Sequence, residues 1–198
     1  MSVPLPRPAT RPVVMPGYRD NLLRRLCRAI VRASGWHLEG ELPDCARLVL
    51  IGAPHSSWWD GIWGLLMKVG IGAEVHFMIK SELFHGPLGW LLRRLGGVAI
   101  DRRAAGGVVG QMIDTFAQGG AFWLAITPEG TRKPVEHWKT GFWHIAHAAG
   151  VPVFPVAFDY PGKRFILGPL FETTDDKQAD VARLRAFYAP YKGLHHGV

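Results

Sequence analysis

The stretch RLVLIGAPHSSWWDGIWGLLMKV, Arg47 to Val69, decides how this chain is read. Arg47 to Ala53 is a short, nearly continuous apolar run, the pattern of a strand buried on both faces. Pro54 breaks the run, Ser56 or Ser57 can cap a helix, and an apolar helical pattern resumes from Trp58 to Val69. A buried strand leading at once into a helix is the repeating unit of a parallel sheet.

The same alternation continues on both sides. Strands are expected near His37–Glu41, at Glu74–Ile79, Val98–Ile100, Gly120–Ile126, Val153–Phe158 and Arg164–Leu167. Helices are expected over Pro87–Leu95, Gly107–Gln118, His137–Ala149 and from about Asp176 to Tyr188. This order predicts an α/β fold, a mixed and largely parallel sheet covered by helices. At 198 residues there is room for one domain, and no linker long enough to divide it is visible.

Within the deciding stretch, His55 and Asp60 form a candidate base and its orienting acid. Imidazole titrates near neutrality and takes a proton from an alcohol well when a carboxylate fixes its tautomer. Five residues apart on a regular helix the pair would stand roughly 140° apart. The pairing therefore requires His55 before the helix and Asp60 in its first turn. The competing view is a loop histidine followed by an aspartate that complements the helix dipole. A second run, PEGTR at Pro128 to Arg132, follows another apolar strand. Glycine there lets backbone approach a ligand, and the Arg132 fork matches phosphate. Taken alone it is equally a turn with a solvated ion pair. Both runs lie just after strands, where open α/β sheets place their ligand crevices.

Together with GGVAIDRR, Gly96 to Arg103, and VPVFPVAF, Val151 to Phe158, these runs resemble the four ordered blocks of the glycerolipid acyltransferase family, typified by the 1-acylglycerol-3-phosphate O-acyltransferases. The blocks span most of residues 50 to 158. The resemblance implies a glycerol-3-phosphate acyltransferase-like fold for residues 37–198 and an enzyme without a covalent acyl intermediate. It implies His55 as general base and Asp60 as its orienting acid, with Arg102 and Arg132 holding the acceptor's phosphate and Lys80 nearby. Glu129, Gly130 and Thr131 would shape the pocket, and Val153 to Val156, Pro155 among them, would line a cleft. The partners implied are a lysophospholipid and an acyl thioester, acyl-CoA or acyl carrier protein, as co-substrate rather than cofactor. Pro54 stands where the family often has asparagine and Thr127 where it often has phenylalanine, and neither change removes a reacting group. Another lyso-lipid acceptor such as a lyso-aminolipid, acyl exchange without a thioester, and a catalytically silent membrane lipid-binding protein stay open.

Seven arginines against Asp20 alone give residues 1 to 36 a charge of +6, out of +7 for the chain. Residues 1–19 are basic, proline-rich and expected to be disordered. Residues 20–36 are expected to hold a basic amphipathic helix, with Leu22, Leu23, Leu26, Cys27 and Ile30 on one side and Arg24, Arg28 and Arg32 in a stripe. Such a helix suits an anionic membrane surface, with arginines at head-group level, and equally suits packing onto the domain. No recognised nucleic-acid signature accompanies the charge. No run of about 20 apolar residues is present, and no secretory signal. Cys27 and Cys45 form neither a disulfide framework nor a ligand cluster, which favours a reducing compartment. The expectation is a cytoplasmic protein, peripheral on the cytoplasmic face of a membrane. His144 and His147 have a spacing that can bind metal but no third ligand, so packing is the preferred reading and no metal is assigned. His195 and His196 fall in a polar segment expected to be mobile.

Overall fold

The computed structural model describes residues 15–101 and 107–198. The strands are β1 (His37–Glu39), β2 (Arg47–Ala53), β3 (Val75–Lys80), β4 (Gly97–Ile100), β5 (Phe122–Ile126), β6 (Val153–Asp159) and β7 (Arg164–Leu167). The helices are α1 (Leu22–Ala33), α2 (Trp58–Ile71), α3 (Gly86–Arg94), α4 (Gly107–Ala117), α5 (Gly141–Ala149) and α6 (Lys177–Tyr188). The strands form one sheet in the order β1-β7-β6-β2-β5-β3-β4. Every pairing is parallel except β6 with β7. The mixed, largely parallel sheet is therefore as the alternation of elements predicts.

Apolar residues on the two faces of the sheet build two cores. One gathers Met112 and Phe116 of α4, Phe142 of α5 and Leu184 and Tyr188 of α6 over Val49, Ile51 and Leu124. The other gathers Val31 of α1 and Met67 and Ile71 of α2 over Leu48, Trp123 and Phe154. Side chains alternate across a strand, so β6 sends Phe154 and Val156 to the second core and Val153 and Ala157 to the first. The fully buried Tyr188 links the layers. Its hydroxyl donates to the Ile51 carbonyl at 2.7 Å and accepts from the Val156 N–H at 3.1 Å, bridging the paired strands β2 and β6 beside Pro155.

Element ends move by a few residues for local reasons. β1 stops at Glu39 because Gly40 takes φ +102°, and β5 starts at Phe122 because Gly119 and Gly120 both have positive φ. α5 begins at Gly141 rather than His137, since the Lys139 N–H is engaged by the Pro128 carbonyl.

The N-terminal reading needs two corrections. The segment 1–19 is described from Met15 onward, and there it is pinned rather than free. Met15 is buried, Gly17 bridges Ala73, and the Glu74 N–H donates to the Pro16 carbonyl. Helix α1 forms where expected, capped by Asn21, but Arg24 and Arg28 of its arginine stripe face inward, while Arg32 is exposed. Arg24 and Arg28 are buried. Arg28 donates to the Gly70 carbonyl of α2 at 2.9 Å and pairs with Asp20 at 2.7 Å, while Arg24 donates to the Arg19 carbonyl. The Arg28 stem packs at Gly70 of α2, the Arg24 guanidinium lies over the Tyr18 ring, and both heads find partners, so these two arginines serve as packing groups. The side that faces outward carries Leu22, Leu23, Leu26 and Ile30, with Leu22 at 82% exposure. Among the described residues no helix is long and apolar enough to cross a membrane.

Candidate active site

Parallel strands deliver their following loops to one edge of the sheet, and β2, β3, β4, β5 and β6 all run the same way. His55 follows β2, Lys80 ends β3, Glu129 to Arg132 follow β5, and Tyr160 follows β6. The edge where ligands gather in α/β sheets thus collects the candidate residues from separate parts of the chain.

The start of α2 fixes the His55–Asp60 pair. Ser57 is the N-cap and Asp60 occupies the third helical position, with its carboxylate reaching back to the Ser57 N–H in a capping box. Oδ2 of Asp60 accepts from the N–H of Ser56 at 2.7 Å, from that of Ser57 at 2.8 Å, and from Nδ1 of His55 at 3.1 Å. Its Oδ1 accepts from the Tyr160 hydroxyl at 2.5 Å. Burial alone would raise the Asp60 carboxyl, but the bonds from His55, Tyr160, Ser57 and Ser56 outweigh it and hold the group below its ordinary value. A carboxylate only accepts, so Nδ1 of His55 carries a proton, and in the neutral imidazole Nε2 is the acceptor. The His55 side chain is 22% exposed and that of Asp60 1%, which leaves the base accessible and its partner sealed.

The second block locks onto the first. The buried Glu129 accepts the His55 N–H at 2.6 Å through Oε2. Burial pushes the Glu129 carboxyl up, partly offset by that N–H. Gly130 takes φ +64°, the backbone conformation that favours glycine, and the flexible Lys139 side chain passes close by. The Arg132 guanidinium lies 3.7 Å from the centroid of the exposed Trp58 ring. Thr131, Arg132, Lys133, Ser56, Ser57, Trp58 and His195 line a polar cavity of about 380 Å³.

His55 and Asp60 also border a cavity of about 830 Å³ whose walls are mostly apolar and include Gly61, Gly64, Thr127, Gly130 and Lys139. Lys68, farther along α2 on the same cavity, is pushed down to about 8 by burial. Phe154 and Val156 line this space while Pro155 does not, because alternation turns it toward Gly168. Lys80 is exposed at the end of β3 and lines neither cavity. Arg102 lies outside the described residues.

Three contributions escape sequence reading. Tyr160 and Lys139 stand in no recognised block. The segment after α6, expected to be mobile, returns to the site. The His195 N–H donates to Ser56 Oγ at 3.3 Å, and the ring of His196 pairs with the Arg132 carbonyl at 3.0 Å. His147 stacks on Trp143, and among the described residues no group of three or more His, Cys, Asp or Glu is placed to hold a metal.

A family model described as Acyltransferase matches residues 37–159, more than half of the chain, and includes His55, Asp60 and Glu129 to Arg132 but not Tyr160, His195 or His196. The chain belongs to the acyltransferase family. It is 29% identical over 150 residues to the 1-acyl-sn-glycerol-3-phosphate acyltransferase of Pseudomonas aeruginosa, covering 66% of this chain and 56% of that protein. The chain thus spans little more than half the length of this acyltransferase relative. The crystal structure of the 1-acyl-sn-glycerophosphate (LPA) acyltransferase PlsC from Thermotoga maritima superposes with a TM-score of 0.60 at 19% identity, covering 83% of this chain and 76% of that one. That likeness shows a shared acyltransferase fold.

The clamp between Glu129 and the His55 backbone is a hydrogen bond to a buried N–H. Glu129→Ala is expected to lower stability by about 1–3 kcal/mol, and Glu129→Gln, which keeps an acceptor, by less than about 1 kcal/mol. Urea unfolding of the two variants measures the difference.

Proposed function

We propose that this protein transfers a fatty acyl group from a thioester, acyl-CoA or acyl carrier protein, to the free hydroxyl of a lysophospholipid, 1-acylglycerol-3-phosphate first among the acceptors. The observation that carries this reading is an imidazole held through Nδ1 by Asp60, bordering a large apolar cavity. Nε2 of His55 accepts the hydroxyl proton as that oxygen attacks the thioester carbonyl. The tetrahedral adduct then collapses to the new ester, and the departing thiolate takes the proton from the imidazolium, so no acyl-enzyme forms and His55 is restored. The apolar cavity receives acyl chain. Arg132 holds the acceptor's phosphate from the polar cavity, with Thr131 on its wall and Glu129 and Gly130 fixing the loop. Arg102 and Lys80 are assigned to the same anion by the family resemblance.

A lipid acceptor requires access to a membrane. Peripheral docking on the cytoplasmic face is supported by the outward leucines of α1 and by Trp58, Trp59 and Ile62, exposed at the start of α2 next to His55. Large exposed apolar groups on amphipathic helices suit the head-group and acyl boundary. The apolar side of α1, not the inward Arg24 and Arg28, supplies the contact. Replacing Leu22, Leu23 and Leu26 by serine is expected to weaken sedimentation with vesicles containing anionic lipid by about tenfold, burial of apolar side chains supplying most of the binding. Unchanged sedimentation would remove α1 from the docking face.

Thiol release from acyl-CoA, with and without 1-acylglycerol-3-phosphate, tests the activity. Acceptor-dependent release is expected, falling about 10²–10⁴-fold in His55→Ala. Release without acceptor would indicate thioester hydrolysis. Transfer between lipids with no thioester would indicate a transacylase, and lipid binding unaltered by His55→Ala with no release from any donor would indicate a silent lipid-binding protein.

A further inference from the structure

Asp60 Oδ2 is crowded by the N–H groups of Ser56 and Ser57 and by Nδ1 of His55, whereas the Tyr160 hydroxyl at 2.5 Å meets Oδ1. With its side chain 1% exposed, Asp60 has no bulk water to supply a substitute donor. A carboxylate held on one oxygen can tilt about its Cβ–Cγ bond, and a tilt moves the acceptor that fixes the imidazole. We propose that Tyr160 is a positioning residue for the His55–Asp60 pair, its hydroxyl locking the carboxylate plane and sharing the Asp60 charge so that the imidazole stays a competent base. The inference rests on the acyl-transfer reading for its kinetic consequence but not for its structural one.

The tyrosine is itself held from three sides. Its ring stands edge-on to the buried Trp36 at 5.0 Å. Its N–H donates to the Lys192 carbonyl at 2.9 Å, and its carbonyl accepts from the Lys163 N–H at 3.1 Å. The exit of α1, the β6–β7 turn and the segment after α6 therefore converge on one hydroxyl. Burial, together with the neighbouring Asp60 carboxylate, pushes the phenol well above its ordinary range, so it stays protonated and donates throughout the working pH range.

Charge balance gives the sign of the effect. A donor on Oδ1 withdraws negative charge from the carboxylate. Its loss leaves more charge to stabilise an imidazolium, so the base becomes protonated at higher pH. The other titratable groups around the pair are Glu129, which takes the His55 N–H, His196, whose charge acts on Asp60 and Glu129, and Lys139 and Lys68 on the wall of the same cavity. Arg132 and His195 border the adjoining polar space. Tyr160→Phe alters none of these and keeps the ring against Trp36.

The test compares the full-length parent and Tyr160→Phe in two ways. Kinetically, kcat for acyl transfer to 1-acylglycerol-3-phosphate is expected to fall about tenfold at pH 7, with KM unchanged within about twofold and the acid limb of kcat moved up by about half a pH unit. Without any substrate, the His55 ring signal in a nuclear magnetic resonance titration is expected to change at a pH about half a unit higher in the variant. A ring titration that does not move overturns the proposal, as does a fall in kcat with an unmoved acid limb, which would make Tyr160 a packing residue. A moved ring titration in a protein that transfers no acyl group would keep the positioning role and remove the acyl-transfer reading instead.

Discussion

The structure of the site depends on one carboxylate, that of Asp60, being satisfied four times inside the protein. Two of its donors are backbone N–H groups at the start of α2, one is the imidazole, and one is a phenol just past the end of β6. An unpaired carboxylate at this depth would be costly and would rise toward the neutral form. With its donors present it remains ionised, caps its helix and fixes the tautomer of the base in the same act. The helix start and the His55–Asp60 pair are thus one construction, which is why the five-residue spacing matters.

Sheet direction explains why residues so far apart in sequence meet. The central strands are parallel, so each crossover returns the chain to the same edge, and each return adds a group: His55 after β2, Glu129 and Arg132 after β5, Tyr160 after β6. Glu129 ties two of these loops by gripping the His55 N–H, and the segment after α6 closes over Ser56 and Arg132. The two cavities divide the chemistry. One is apolar and suits hydrocarbon, the other is lined by Arg132, Lys133 and hydroxyls and suits an anion.

Most of the fold was legible because buried parallel strands and their crossover helices have distinct periods, and glycines and prolines mark the joints. The His55–Asp60 geometry was legible for the same reason, since a strand, a proline and a capping serine leave one arrangement in which the pair can meet. Tyr160 was not, because the partner of Asp60 lies 100 residues away and nothing local marks it. The orientation of α1 was not legible, because periodicity separates two faces without saying which one the domain covers. Asp20 and the close approach at Gly70 hold Arg28 inward, and both are tertiary facts. The segment at His195 and His196 looked mobile because its composition is polar, yet backbone bonds to the site hold it.

The most direct test of the account is a crystal structure with 1-acylglycerol-3-phosphate bound and no thioester, so that no reaction can proceed. The account predicts the free hydroxyl about 2.6–3.2 Å from Nε2 of His55, with the phosphate against Arg132 and the acyl chain in the apolar cavity. An acceptor whose hydroxyl faces away from Nε2, or whose phosphate lies apart from Arg132, would contradict it.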